Sequence, residues 1–134
     1  MTSTATAGRY AGPTLSLLRI VAAFVYLQHG VQKLMGAMAG HPWKPLQGTA
    51  LVIECVFGAL ILIGLFTRVS AFIASGEMAV AFFLFHVPNG ILPIVNHGET
   101  PVLLCFIFLF LAAAGGGPYA VDAWRATRSS SPNS

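Results

Sequence analysis

Four long apolar runs, each cut off by a Gly-, Pro- or Asn-rich turn, constrain this chain more than any other feature. They fall near residues 15–34, 46–66, 69–86 and 100–114. Crossing about 30 Å of hydrocarbon takes roughly 20 helical residues. In that medium the backbone must satisfy its own hydrogen bonds, so such runs read as helices. Only 8% of the residues are charged, against 56% hydrophobic, which is too little charge to coat a soluble domain this small. The expected fold class is therefore an all-α membrane protein: a four-transmembrane-helix antiparallel bundle over 13–117, with the lipid bilayer as its solvent.

The ends and turns follow from local chemistry. Residues 1–12 are small and polar apart from Arg9, and read as a flexible tail. Pro13 suits a first helical turn. Ala37-Met38-Ala39 has the form of a signal cleavage site. The run before it carries Arg19, Gln28, His29, Gln32 and Lys33, however, so the first helix is expected to be retained. Pro42 and Pro45 break the chain around Trp43, an interface-seeking residue. Thr67-Arg68 is a tight connection that makes the second and third spans antiparallel neighbours. Gly115-Gly116-Gly117-Pro118 ends the fourth span. Residues 118–134 read as an interfacial segment followed by a disordered tail.

The net charge is +3, from seven Lys and Arg against four Asp and Glu, with no basic run or basic aromatic face of the kind that binds nucleic acid. Arg9, Arg68, Arg125 and Arg128 fall on one side of a four-span bundle, and Lys33 and Lys44 on the other. Cytoplasmic loops carry the excess of cations, so both termini are expected in the cytoplasm. Cys55 and Cys105 lie in apolar runs without a CxxC spacing. They read as small buried residues, a disulfide between neighbouring helices being the alternative. No HExxH or comparable spacing signals a metal site.

Charged residues inside a bilayer are costly and tend to face the bundle interior, where they often mark function. At about 100° per residue, Arg19, Tyr26, Gly30 and Lys33 share a stripe of the first helix, with His29 on its shoulder and Gln28 on the opposite face. By depth, His29, Lys33, Glu54, His86 and Glu99 gather in the outer half of the bundle, where a polar pocket is expected. Arg19 and Glu77 lie deeper and are candidates for a buried ion pair. Glu77 and His86 are about 180° apart on an ideal helix, so they line one cavity only if that helix is distorted. His29 and His86 at similar depth have the look of bis-His haem ligands, but hydrogen bonding to a neighbouring helix is the commoner use of such residues. Glu99 also suits the N-terminus of its own helix.

The chain resembles the DoxX family of small bacterial membrane proteins over 17–122. The matching features are Arg19, QHGVQKL (28–34), Glu54, LIGLFTR (62–68), NHGE (96–99) and GPYAVD (117–122), with Ala120 where a serine is usual. The resemblance implies a four-helix bundle in the bacterial inner membrane. It also implies a link to redox chemistry, since the family takes its name from a subunit of a thiosulfate- or quinol-oxidising complex, and some members belong to thiol and oxidative-stress systems. By the same resemblance Arg19, His29, Lys33, Glu54, Asn96 and Glu99 are functional candidates.

The function expected is a membrane subunit of a quinone- or thiol-linked redox system, at most part of an oxidoreductase complex, with a quinone as the candidate bound molecule. The alternative is a non-catalytic anchor or assembly factor for soluble redox enzymes. A small transporter fits less well, because no internal repeat is visible. Gly58, Gly64, Ala71, Ala74 and Ser75 suit close helix packing within the bundle or in a homo-oligomer.

Overall fold

The computed structural model describes residues 2–42 and 44–130, with side chains from residue 8 onward. Trp43, expected at the membrane interface, lies outside the described residues, as do Met1 and residues 131–134 of the expected tails. Helix α1 is Thr2–Met38, α2 Pro45–Ile63 and α3 Thr67–Ala81. A π-helical turn, Phe82–His86, and a 3-10 turn, Val87–Asn89, extend α3. The short α4, Pro93–Asn96, precedes α5, Glu99–Ala114, and α6, Val121–Ser129, closes the described chain. The described residues are otherwise turns, with no strand among them.

Three segments, Gly8–Met38, Pro45–Ile63 and Thr67–Asn89, are long and apolar enough to cross a bilayer. Helix α5 is apolar but has 16 residues, about 24 Å at 1.5 Å per residue. The loop with α4 lies before it and the 115–120 turn after it. Helix α1 starts earlier than the sequence suggests. The stretch read as a tail is helical from Thr2, and Pro13 sits inside the helix. Pro13 removes one hydrogen bond from the helix.

Helix α1 packs chiefly on α2 and α3 chiefly on α5; α2 meets α3 along a narrower seam, and α1 meets α5 more thinly still. The result is a closed antiparallel square in which α1 and α3 do not share a main seam. Small residues let the helices approach. Ala22, Ala23, Ala71 and Ala74 are buried at the centre around Tyr26, Ile61, Met78, Leu104, Phe108 and Leu111. The Tyr26 and Phe108 rings meet edge to face with centroids 5.0 Å apart, the arrangement that suits aromatic quadrupoles. A Cβ at Gly58 would lie 2.9 Å from Leu27, and one at Gly30 2.8 Å from the Cys55 sulfur, so a side chain at either position would force its neighbour across the α1–α2 crossing to shift.

Those contacts also settle the small residues and the cysteines. Gly58, Gly64, Ala71, Ala74 and Ser75 are used inside the protomer: Gly64 lies against Ala120, and Ser75 donates its hydroxyl to the Cys105 carbonyl at 2.8 Å. Cys55 faces Gly30 of α1 while Cys105 sits beside Ser75 of α3. Both cysteines are free, so the disulfide alternative is not realised.

One end of the bundle, the base, is tied by a polar knot. Arg19 is 1% exposed and donates to the carbonyls of Gly116, Tyr119 (3.0 Å) and Leu62 (3.4 Å). The Leu62 carbonyl lies at the C-terminal end of α2, where unsatisfied oxygens and the helix dipole favour a cation, and those of Gly116 and Tyr119 belong to the turn between α5 and α6. The Ser16 hydroxyl accepts from the Tyr119 N–H at 3.1 Å. Arg68 in turn donates to the last carbonyls of α5, at Ala112 (3.3 Å), Ala113 and Ala114 (3.5 Å).

The start of α3 is capped from afar. Asp122 of α6 accepts from the Phe66 and Thr67 backbone N–H groups at 2.9 and 2.8 Å, supporting Phe66 at φ 49°. Burial of the carboxyl disfavours its charge, but the Thr67 and Phe66 donors and the nearby Arg125 outweigh this. They hold Asp122 below its ordinary value. A depressed native value means stability that is present above the unfolded aspartate range, near pH 4, and lost as pH falls through the lower native value. Asp122→Ala is therefore expected to cost about 1 kcal/mol at neutral pH, as removal of a helix cap does. The gap to the wild type should close in unfolding scans run below about pH 4.

Candidate functional site

At the opposite end, the top, α1, α2 and α3 surround a cavity of about 230 Å³. Its polar lining is His29 and Lys33 from α1, Gln47 and Glu54 from α2, Glu77 from α3 and His86 from the π turn. Leu46, Ala50, Met78, Ala81, Phe85 and Pro101 supply the apolar wall. Helical spacing explains the convergence. His29 and Lys33 are four residues apart on the inward stripe of α1, and Gln47 and Glu54 are two turns apart on one face of α2.

Glu54 is 1% exposed, and the Lys33 ammonium lies 2.7 and 2.8 Å from its two oxygens, with Lys33 itself 29% exposed. A buried carboxylate of this kind is tolerable only when paired. Glu77 is half-buried and accepts a hydrogen bond from the Tyr26 hydroxyl at 3.1 Å. The cavity is thus lined by two carboxyl groups, one ammonium and two imidazoles, of which Lys33 and Glu54 are in direct contact.

The distortion of the third helix is real and has a local cause. Pro88 has no N–H to give the Leu84 carbonyl and its ring crowds that oxygen. The ladder widens to an i→i+5 bond, from the Val87 N–H to the Phe82 carbonyl. A wider turn advances less per residue, which rotates His86 back to the face that Glu77 occupies. His86 is then fixed by its Nδ1, 3.0 Å from the Asn96 carbonyl, and by stacking on Phe82.

Other sequence-derived candidates fall elsewhere. The expected Arg19–Glu77 ion pair is not formed: Arg19 is held by carbonyls at the base, and Glu77 points into the cavity toward Tyr26. Backbone carbonyls of α2 and of the 115–120 turn satisfy the guanidinium without any carboxylate. Asn96 is 3% exposed and ties the top loop, donating to Gly90 (2.6 Å) and accepting from the Gly98 N–H (2.8 Å). Glu99 is exposed at the first position of α5 and does not line the cavity. Gln47 was missed, although its spacing from Glu54 shows the shared face. Among the described residues no group of three or more His, Cys, Asp and Glu side chains is arranged to hold a metal ion.

Beside this cavity, on the outer seam of α2 and α3, lies an apolar groove of about 290 Å³. It shares Leu46, Ala50, Glu77, Ala81 and Phe85 with the cavity and continues past Ile53, Ile73, Gly76 and Val80.

A small helical membrane protein with a cluster of ionisable side chains lining a cavity toward one end is the class that fold and site define. The chain belongs to the DoxX family, whose model matches residues 14–87. That stretch holds most of α1, all of α2 and α3 and every ionisable residue of the cavity, while the NHGE and GPYAVD segments lie beyond it. A protein of Haemophilus influenzae (strain ATCC 51907 / DSM 11121 / KW20 / Rd), described as an uncharacterized protein, is 40% identical over 117 residues, covering 81% of this chain and 87% of its own. No solved structure matches the chain.

Proposed function

We propose that this chain is the membrane subunit of a redox system and that it holds a quinone-like lipophilic molecule between α2 and α3. The observation that carries this reading is the junction of a polar chamber with an apolar groove through Leu46, Ala50, Glu77, Ala81 and Phe85. Ligand sites of this type are mostly apolar with a few placed polar groups. A chamber of about 230 Å³ suits a ring-sized head, and the groove suits an isoprenoid tail reaching into lipid. His29 and Lys33 would donate to the ring carbonyls, while Glu54 and Glu77 would take and return protons as the ring is reduced and oxidised. Electrons come from a partner protein, and catalysis by this chain alone is not part of the proposal. The base, with Arg9, Arg68, Arg125 and Arg128, would face the cytoplasm of the bacterial inner membrane.

The test is mass spectrometry of lipophilic molecules that co-purify with the native chain in lipid nanodiscs, beside Ala50→Phe, which fills the shared wall. Retention of a quinone by the native chain, reduced at least tenfold in the variant, is expected. Equal retention by both, or by neither, contradicts the reading. A second reading, an anchor for soluble redox enzymes, is favoured by α6, whose exposed Arg125 and Arg128 stack on Phe66 and Trp124. An anchor would tolerate Ala50→Phe and fail when Arg125 and Arg128 are removed.

A further inference from the structure

Helix α1 presents two faces of opposite character. Ser16, Arg19, Ala22, Ala23, Tyr26 and Gly30 are buried in the bundle. On the other face Leu17, Val21, Phe24, Val31, Met35 and Met38 are all exposed, and Gln28 continues their alternating four- and three-residue spacing. Any lipid-facing stripe of a helix has that spacing, so the spacing alone says nothing. The two glutamines do. Gln28 and Gln32 are exposed on this face and have no hydrogen-bond partner among the described residues. By contrast, the exposed Thr49 of α2 satisfies itself on the Pro45 carbonyl, and the exposed Asn89 on the Phe85 carbonyl.

Depth makes the exposure costly. Arg19 marks the base, and Gln28 is nine residues further along, about 14 Å at 1.5 Å per residue, near the middle of the hydrocarbon. Neither lipid nor water can satisfy an amide there. Phe24, Leu27, Val31 and Met35 flank the glutamines and form a shallow groove along the helix.

We infer that this face of α1 binds a second copy of the same chain. Two copies inserted in the same sense are related by a twofold axis along the membrane normal, which brings equal depths together. Gln28 then meets Gln28 of the second copy. A carboxamide is self-complementary, so each N–H group donates to the carbonyl oxygen of the other. Gln32, one turn closer to the top, closes a second pair at the edge of the seam. Leu17, Val21, Phe24, Val31 and Met35 pack on either side, and the single polar position in an apolar seam sets the register. The cavity faces away from this seam, so the dimer leaves it open, and the inference stands apart from the proposed ligand.

The test uses the full chain in lipid bilayers at known protein-to-lipid ratios, with single-molecule counting of labelled copies. The wild type should be dimeric, and Gln28→Leu/Gln32→Leu should dissociate at least tenfold more readily while unfolding at the same or a higher temperature. In a Cys55→Ala/Cys105→Ala background, Val31→Cys should cross-link two copies under oxidation, whereas Val52→Cys, on the exposed face of α2, should not. A monomeric wild type overturns the inference, as does a dimer indifferent to the double substitution. Cross-linking through Val52→Cys, or of Val31→Cys to a different protein in native membranes, overturns it too.

Discussion

Lys33→Met is expected to destabilise the bundle by about 3–5 kcal/mol, the usual cost of stranding a buried charge. It leaves the Glu54 carboxylate, 1% exposed, without its cation. Glu54→Gln removes the other half of the same pair, yet should cost only about 1–2 kcal/mol. Lys33 is 29% exposed and sits near the top of α1, so its long stem can carry a freed ammonium toward the interface. The Lys33→Met/Glu54→Gln double variant should recover most of the loss, because it buries no charge. Thermal unfolding of the three variants in one detergent checks the order. Equal losses for the single variants would show that the pair is not buried as described.

Arg19→Leu is expected to cost about 3–5 kcal/mol. It withdraws a charged donor from three carbonyls at once, each such bond being worth about 1.5–3 kcal/mol without full additivity. Arg19→Lys should recover only part of this, since an ammonium is a point charge without the planar fork that spans Leu62, Gly116 and Tyr119. The damage should be local, with protease cleavage appearing first near 115–122. Because Arg19 and Glu77 are not partners, Arg19→Leu and Glu77→Gln should be additive in unfolding scans. Strong coupling between them would restore the ion pair that the geometry rejects.

Most of the architecture was legible because membrane physics leaves few options. Run length and the need for internal hydrogen bonds decide helix number and type, and the Thr67-Arg68 turn decides that α2 and α3 are neighbours. The cavity was legible in part. The stripe on α1 and the depth of Glu54 brought His29, Lys33, Glu54 and His86 together on paper. Depth pairs Glu77 with Arg19, and an ideal helix places it opposite His86; only the π turn before Pro88 puts Glu77 and His86 on one cavity. Arg19 was misread for a different reason: its partners are backbone carbonyls of α2 and the 115–120 turn, groups present in every sequence and therefore invisible to side-chain matching. Glu99 and Asn96 show the same limit. Depth points Glu99 toward the cavity and the family resemblance adds Asn96, but Asn96 is consumed by the loop it ties and Glu99 faces outward at a helix start.

The helix-end knot also clarifies what the resemblance motifs do. Arg19, the Leu62 and Gly64 carbonyls, Arg68 and Asp122 belong to one structural tie at the base. Within QHGVQKL, His29 and Lys33 line the cavity with Glu54, while Gln28, Val31 and Gln32 face outward. The base tie and the cavity lie toward opposite ends of the bundle, so the base can be disturbed without touching the proposed ligand.

The most direct measurement is photolabelling in nanodiscs with a quinone that carries a photoreactive group on its tail, followed by mapping of the modified peptides. Labelling is expected to concentrate on α2 and α3 along Ile53, Ile73, Gly76 and Val80, suppressed by excess unlabelled quinone and by Ala50→Phe. Label spread evenly over the lipid-facing residues, or gathered on another helix and indifferent to Ala50→Phe, would contradict it.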